Sequence, residues 1–114
     1  MQKRILEELS HIFKLLSAEK RLAILMLLQE RTYTVSELVE ELGMEQSAVS
    51  HQLKALREEQ VVTDEKVGRT VTYRLTDSHI IDLLENAEEH VGHLVKNETH
   101  AEWLADETSR KNSK

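Results

Sequence analysis

The chain has 114 residues, enough for one small domain, and its regularly spaced apolar residues argue against disorder. It contains no cysteine, which excludes disulfides, thiolate metal sites and a cysteine nucleophile, and leaves histidine nitrogen and carboxylate oxygen as the metal donors to consider. The formal net charge of −6 excludes a broadly basic nucleic-acid binder, so any DNA contact must rest on a local patch.

Lys3, Arg4, Glu7 and Glu8 interrupt any leader-like stretch at the start, and no apolar run is long enough to span a membrane. The expectation is a cytoplasmic protein with no membrane partner. Ile5, Leu6, Leu9, Ile12, Phe13 and Leu16 then follow a helical period. Ser17 reads as the N-cap of a second helix carrying Leu22, Leu25, Met26 and Leu28. That pattern breaks at Arg31 to Tyr33.

Thr34 and Glu37, three residues apart, spell a capping box opening a short helix with an apolar stripe of Val35, Leu38, Val39 and Leu42. Gly43 is placed to end that helix in a left-handed conformation. The next helix turns Val49, Leu53 and Leu56 inward, so the pair predicts a helix-turn-helix. After Gln60 the period changes to alternation. Strands are expected over 61–67 and 70–75, with Gly68-Arg69 as the hairpin turn. A hairpin directly after a helix-turn-helix is a wing.

Asp77 reads as the cap of a last long helix reaching about Leu94 or beyond, with Ile80, Ile81, Leu83, Leu84, Ala87, Val91 and Leu94 apolar. The expected fold class is mainly α with a β-hairpin wing, a winged helix-turn-helix. Residues 1–96 would form the DNA-binding and dimerisation domain, and 97–114 a polar C-terminal tail.

On the fourth helix, Ser47, Ser50, His51 and Lys54 share the face opposite Val49, Leu53 and Leu56, and Gln46 adjoins its start. Short hydrogen-bonding side chains near the start of a second helix suit major-groove reading, while Lys54, Arg57, Lys66 and Arg69 suit phosphates. Read alone, the same face also fits an ordinary solvated helix surface. It is the order of helix-turn-helix and wing that favours DNA.

His79, His90 and His93 share one face of the last helix, with Asp77 at its start. The eleven residues from His79 to His90 rise about 16 Å along a helix axis. A metal–nitrogen bond is about 2 Å, so one helix cannot bring both to one ion. Two antiparallel copies can, which predicts a homodimer with two equivalent intersubunit sites of one carboxylate and three imidazoles. That donor set suits zinc or cobalt. The same residues also fit a solvated helix face with Asp77 serving only as an N-cap. His11 is assigned to the surface of the first helix, and His100 to the tail, as an extra ligand or nothing.

The segment Leu16-Ser17-Ala18-Glu19-Lys20-Arg21-Leu22-Ala23-Ile24-Leu25-Met26-Leu27-Leu28, the segment Gln46-Ser47-Ala48-Val49-Ser50-His51-Gln52-Leu53-Lys54, and the wing residues Gly68-Arg69 and Tyr73-Arg74-Leu75 together resemble the ArsR/SmtB family of metal-sensing repressors. The resemblance covers about Leu9 to Leu94. It implies that the apo homodimer binds palindromic operator DNA and that metal binding causes release. Asp77-x-His79 with His90-x-x-His93 is similar to the C-terminal-helix site of the family's zinc/cobalt sensors. The family's other common site needs cysteines on the helix that starts the helix-turn-helix, and this chain has none. His100 leaves room for a six-coordinate nickel or cobalt site. The resemblance further implies a relay in which the second nitrogen of His90 donates to a backbone carbonyl near Gln60. A zinc hydrolase is the rival reading. It lacks a candidate nucleophile or base near the histidines, and a fully protein-coordinated metal leaves no open position, so no enzymatic activity is expected.

Overall fold

Among the described residues, 1–112 for the backbone and 1–97 for the side chains, the computed structural model forms α1 (Lys3–Leu16), α2 (Glu19–Leu28), β1 (Tyr33–Thr34), α3 (Val35–Leu42), α4 (Gln46–Glu58), β2 (Val62–Val67), β3 (Thr70–Leu75) and α5 (Ser78–Asn112) in chain order. The helix-turn-helix is α3 and α4, and β2 and β3 form the wing. α5 runs on to Asn112, so the polar stretch after Asn97 has a helical backbone as far as that residue. The chain divides into two compact units, one ending at Ile81 and the other beginning at Asp82.

In α1, Leu15 and Leu16 are buried, but Ile5, Leu6, Leu9 and Phe13 remain about half exposed. The helical stripe read from the sequence is present, and within one chain most of it is uncovered. Ser17 does not cap α2. It ends α1, with its hydroxyl donating to the Lys14 carbonyl at 2.7 Å. Only Ala18 separates it from α2, and the α2 N-cap is Ala18, with no side-chain bond. A serine hydroxyl satisfies an orphan carbonyl behind it as readily as an amide ahead of it, and here the carbonyl wins.

The capping box of α3 is present in both directions. Thr34 Oγ1 accepts from the Glu37 amide at 3.1 Å, and Glu37 Oε1 accepts from the Thr34 amide at 2.9 Å. Gly43 closes the helix at φ 63° and ψ 27°, a left-handed conformation that a glycine adopts without a Cβ clash.

α4 ends in a Schellman cap. The Val61 amide donates to Leu56 O at 2.9 Å and the Gln60 amide to Arg57 O at 3.0 Å. This places Gln60 at φ 62°, a conformation the chain asks of glycine at Gly43 but here imposes on a side-chain-bearing residue.

The sheet has three strands in the order β1-β3-β2, one more than the hairpin expected from the sequence. Tyr33 pairs with Tyr73 and Thr34 with Thr72. The wing closes at the Val67–Thr70 pair, with Gly68 at φ 64° as the first residue of its two-residue turn, where the primed hairpin turns take positive φ.

Ile24, Leu25, Leu38, Val49, Leu53, Leu56, Val61 and Val62 are almost completely buried. Each contributes about 1.5–3 kcal/mol relative to exposure, against about 0–1 kcal/mol for a surface ion pair. Apolar packing of α2, α3, α4 and the start of β2 therefore holds the helix-turn-helix together.

Candidate DNA interface and metal ligands

The backbone of α4 decides which side chains are offered outward. With Val49, Leu53 and Leu56 buried, Gln46, Ser47, Ser50, His51 and Lys54 are all exposed. The five predicted readers thus stand on the open side of the helix. Lys66 on β2 and Arg69 in the wing turn are also exposed, and none of the seven makes an ion pair among the described residues.

Arg57 differs. Its guanidinium donates to Asp64 Oδ2 at 3.0 Å, joining the end of α4 to β2. That pairing neutralises a charge the sequence offers to phosphate, so the positive patch rests on Lys54, Lys66 and Arg69. Arg74 donates to the carbonyls of Leu75 and Thr76, both at 3.2 Å, and so fastens the link between β3 and α5.

Two side-chain ties to α4 went unnoticed in the sequence. Arg21 on α2 donates through Nε to Gln52 Oε1 at 2.7 Å and through a terminal nitrogen to the Leu15 carbonyl at 3.4 Å. His11 on α1 places Nε2 at 2.9 Å from Glu59 Oε2, at the C-cap of α4. His11 is therefore more than an exposed residue of the first helix. The signal was available in part, since Gln52 and Glu59 are seven apart and fall on one side of the helix.

Asp77 caps α5 as expected. Its Oδ1 accepts from the amides of His79 at 2.9 Å and Ile80 at 3.2 Å. The cap brings the carboxylate beside the next ring, with His79 Nδ1 at 3.6 Å from the same oxygen, too far for a hydrogen bond. Both side chains are open, at 52% and 92% exposure. The cap occupies Oδ1, which leaves Oδ2 and one lone-pair nitrogen of the imidazole open toward solvent for a metal.

His90 and His93 are exposed on the part of α5 that belongs to the second unit. His93 lines a shallow groove with Glu85, Glu88, Glu89, Gly92 and Lys96, three carboxylates to one ammonium, which favours a cation. Among the described residues, no three His, Asp or Glu side chains of one chain gather at a metal-sized point. The side chain of His100 lies outside the described residues. The donor types are nonetheless those that zinc takes, open imidazoles and a carboxylate.

The hydrogen bond from the Thr34 amide, and after it the nearby Arg31 guanidinium, hold the Glu37 carboxyl below the usual range. Arg31 in turn lies 3.7 Å over the Tyr33 ring and 3.3 Å from Glu37.

Residues 18–64 match the family described as bacterial regulatory protein, arsR family. The HTH-type transcriptional regulator NmtR of Mycobacterium tuberculosis is 44% identical over 79 residues, which are 69% of this chain and 66% of that protein. The HTH-type transcriptional repressor SmtB of the same species is 39% identical over 90 residues, 79% of this chain and 67% of that protein. The chain thus spans about two thirds of the length of these relatives. The solution structure of the homodimeric winged helix-turn-helix DNA-binding domain of Mb0332 from Mycobacterium bovis, a possible ArsR-family regulator, is similar at a TM-score of 0.70 and 26% identity, covering 82% of this chain and 93% of that one. No described helix is long and apolar enough to cross a membrane. With its matched segment running from α2 through the helix-turn-helix into the wing, the chain belongs to the ArsR family of winged helix-turn-helix transcriptional regulators.

Proposed function

We propose that the chain is a cytoplasmic, metal-responsive transcriptional repressor. The apo homodimer binds operator DNA, and zinc held by Asp77 and His79 of one protomer with His90 and His93 of its partner releases it. The single observation that carries the DNA half is the uncovered polar face of α4, with Gln46, Ser47, Ser50, His51 and Lys54 all exposed over buried Val49, Leu53 and Leu56. Lys66 and Arg69 on the wing supply flanking phosphate contacts.

The homodimer half draws on the uncovered apolar side chains of α1 and of α5, where Val91, Leu94 and Val95 are each about half exposed. A winged-helix neighbour is itself a homodimer. Asp77, pinned as the α5 cap, holds a carboxylate beside His79. His90 and His93, one turn apart, present two further imidazoles. Asp77, His79, His90 and His93 would hold zinc, which would tie the two helices together.

The family resemblance would give His90 a second task, in which its non-coordinating nitrogen would donate to a backbone carbonyl near Gln60 once metal is bound. Gln60 sits in the Schellman cap of α4, so such a bond would act on the end of that helix. Metal favours the conformation that fits DNA poorly, and by linkage DNA weakens metal binding by the same factor. Cobalt fits the same donors, and nickel would draw on a further ligand such as His100.

The test is a titration of the protein–DNA complex with zinc, cobalt and nickel, read by anisotropy of a labelled duplex selected from a random-sequence pool. Release by at least one metal is expected. DNA binding unaffected by all three would leave a winged-helix repressor that does not sense metal.

A further inference from the structure

The contacts of α4 fall into two kinds. Its apolar side packs chiefly on α3 and β2, and burial of that kind is non-directional. It chooses which face turns inward and so sets the coarse roll of the helix about its own axis, which directional bonds can fix more finely. Roll is what a recognition helix must have right, because a hydrogen bond to a base edge weakens steeply once its donor–acceptor distance or angle is lost.

The directional contacts lie on another side. Gln52 and Glu59 are seven residues apart, nearly an integer number of turns, and so share one flank of α4 about 10 Å apart along the axis. Gln52 accepts from Arg21 Nε at 2.7 Å, and Arg21 also donates to Leu15 O on α1 at 3.4 Å. His11 Nε2 on α1 stands 2.9 Å from Glu59 Oε2. Two rungs therefore run between α1 and α4, one through Arg21 to the Leu15 backbone carbonyl and one direct from His11.

Gln52, like Gln46, carries a side chain suited to reading adenine. Unlike Gln46 it is partly buried, and its oxygen is already taken by a guanidinium. A charge-assisted bond of that kind is among the stronger side-chain bonds.

The geometry points to Arg21 and His11 as positioning residues that fix the roll of the recognition helix, with Gln52 and Glu59 as their anchors on α4 rather than as contacts to DNA. The inference rests on the reading of α4 as the DNA-reading helix. It adds that α1, whose outer apolar side chains are uncovered in the single chain, is braced to that helix. Arg21 and His11 need touch no nucleotide to act.

The test uses the full-length apo protein, a duplex selected from a random-sequence pool, and a scrambled duplex of the same composition. The variants are Arg21→Met, Gln52→Met, their double, His11→Ala and His11→Gln. Arg21→Met and Gln52→Met should each weaken the selected duplex on the order of tenfold, the factor that one lost charge-assisted bond corresponds to. The double should be no worse than the worse single, because both remove one rung. Binding to the scrambled duplex and the salt slope should stay as in the wild type. His11→Ala should show the same pattern with a smaller loss, since that rung is more exposed. His11→Gln, which keeps a donor near the Nε2 position, should recover it.

Additive losses at Arg21 and Gln52 would overturn the proposal. So would equal weakening of both duplexes with a salt slope flatter by about one unit, which would make Arg21 a phosphate contact. If Arg21→Met fails to fold, Arg21→Lys, which keeps the charge but lacks the Nε donor, takes its place in the same comparison with Gln52→Met. Ser50→Ala with His51→Ala, run alongside, separates the two claims. If that variant keeps full affinity, the assignment of the reading face fails, whatever the rungs do.

Discussion

The Val61 amide reaches back to the Leu56 carbonyl at 2.9 Å, and this one bond wraps the end of the recognition helix so tightly that Gln60 between them stands at φ 62°. Leu56 and Val61 are both fully buried, and they hold the two positions where apolar side chains accompany a Schellman cap. The left-handed conformation costs a non-glycine residue about 1–2 kcal/mol, part of which glycine would return as chain entropy. Gln60→Gly is therefore expected to stabilise the apo protein by up to about 1 kcal/mol. Gln60→Val should destabilise it, since a β-branched residue is a poorer occupant of that region. Urea midpoints of the three proteins check this, and a glycine variant less stable than wild type would contradict it.

The capping box of α3 makes a pH-dependent contribution with a definite sign. The Thr34 amide bond, followed by Arg31, holds the Glu37 carboxyl below its ordinary value. A depressed carboxylate contributes stability that is present above its unfolded value and is lost as pH falls through the folded one. Glu37→Gln keeps an acceptor for the Thr34 amide but does not titrate. Its stability should fall less steeply than that of wild type on the acid side of the carboxylate range, and an identical acid limb would count against the box as an ionic cap. Thr34→Ala, which removes the other half of the box, should cost about 1 kcal/mol at neutral pH.

These local features were legible in the sequence because their partners lie within a few residues. The Thr34–Glu37 box, the Gly43 stop, the Gly68 turn and the Asp77 cap each join neighbours along the chain, and their side-chain types admit few alternatives. β1 was not legible. Two residues carry no periodicity, and the strand exists only through pairing with Tyr73 and Thr72, some forty residues on. Ser17 was misread because its hydroxyl has two possible neighbours of similar worth. Gln60 was named for a relay, but its left-handed backbone went unseen, because Gln is not a residue that asks for one. The candidate reading face was legible from helical spacing alone, since burial of Val49, Leu53 and Leu56 dictates what remains outside. The rung from Arg21 to Gln52 was not, because nothing local joins residues 31 apart.

Arg69, exposed in the wing turn, is expected to act through charge alone. Arg69→Ala should weaken selected and scrambled duplexes by a similar factor and flatten the salt slope by about one unit. A loss confined to the selected duplex would instead make Arg69 a base reader.

The intersubunit arrangement of the ligands makes a prediction that no single-chain site shares. A His79→Ala protein and a His90→Ala protein are mixed and allowed to exchange subunits. If each site takes Asp77 and His79 from one chain and His90 and His93 from the other, the heterodimer holds one intact site and one site lacking both histidines. Zinc competition with a chromophoric chelator should then recover one tight site per heterodimer, where neither parent has any. Recovery of none would reject the intersubunit arrangement.

In the proposed function, zinc at Asp77, His79, His90 and His93 weakens DNA binding. The most direct test is the affinity of the selected duplex for chelator-treated protein and for protein saturated with zinc, measured by anisotropy at one fixed salt concentration. Wild type and His93→Ala are compared under the same conditions. The account predicts at least a fivefold loss of affinity with zinc for wild type, the lower end of a coupling of about 1–3 kcal/mol. His93→Ala should bind the duplex equally well with and without the metal. Wild-type protein that binds zinc stoichiometrically and holds the duplex with unchanged affinity would contradict it.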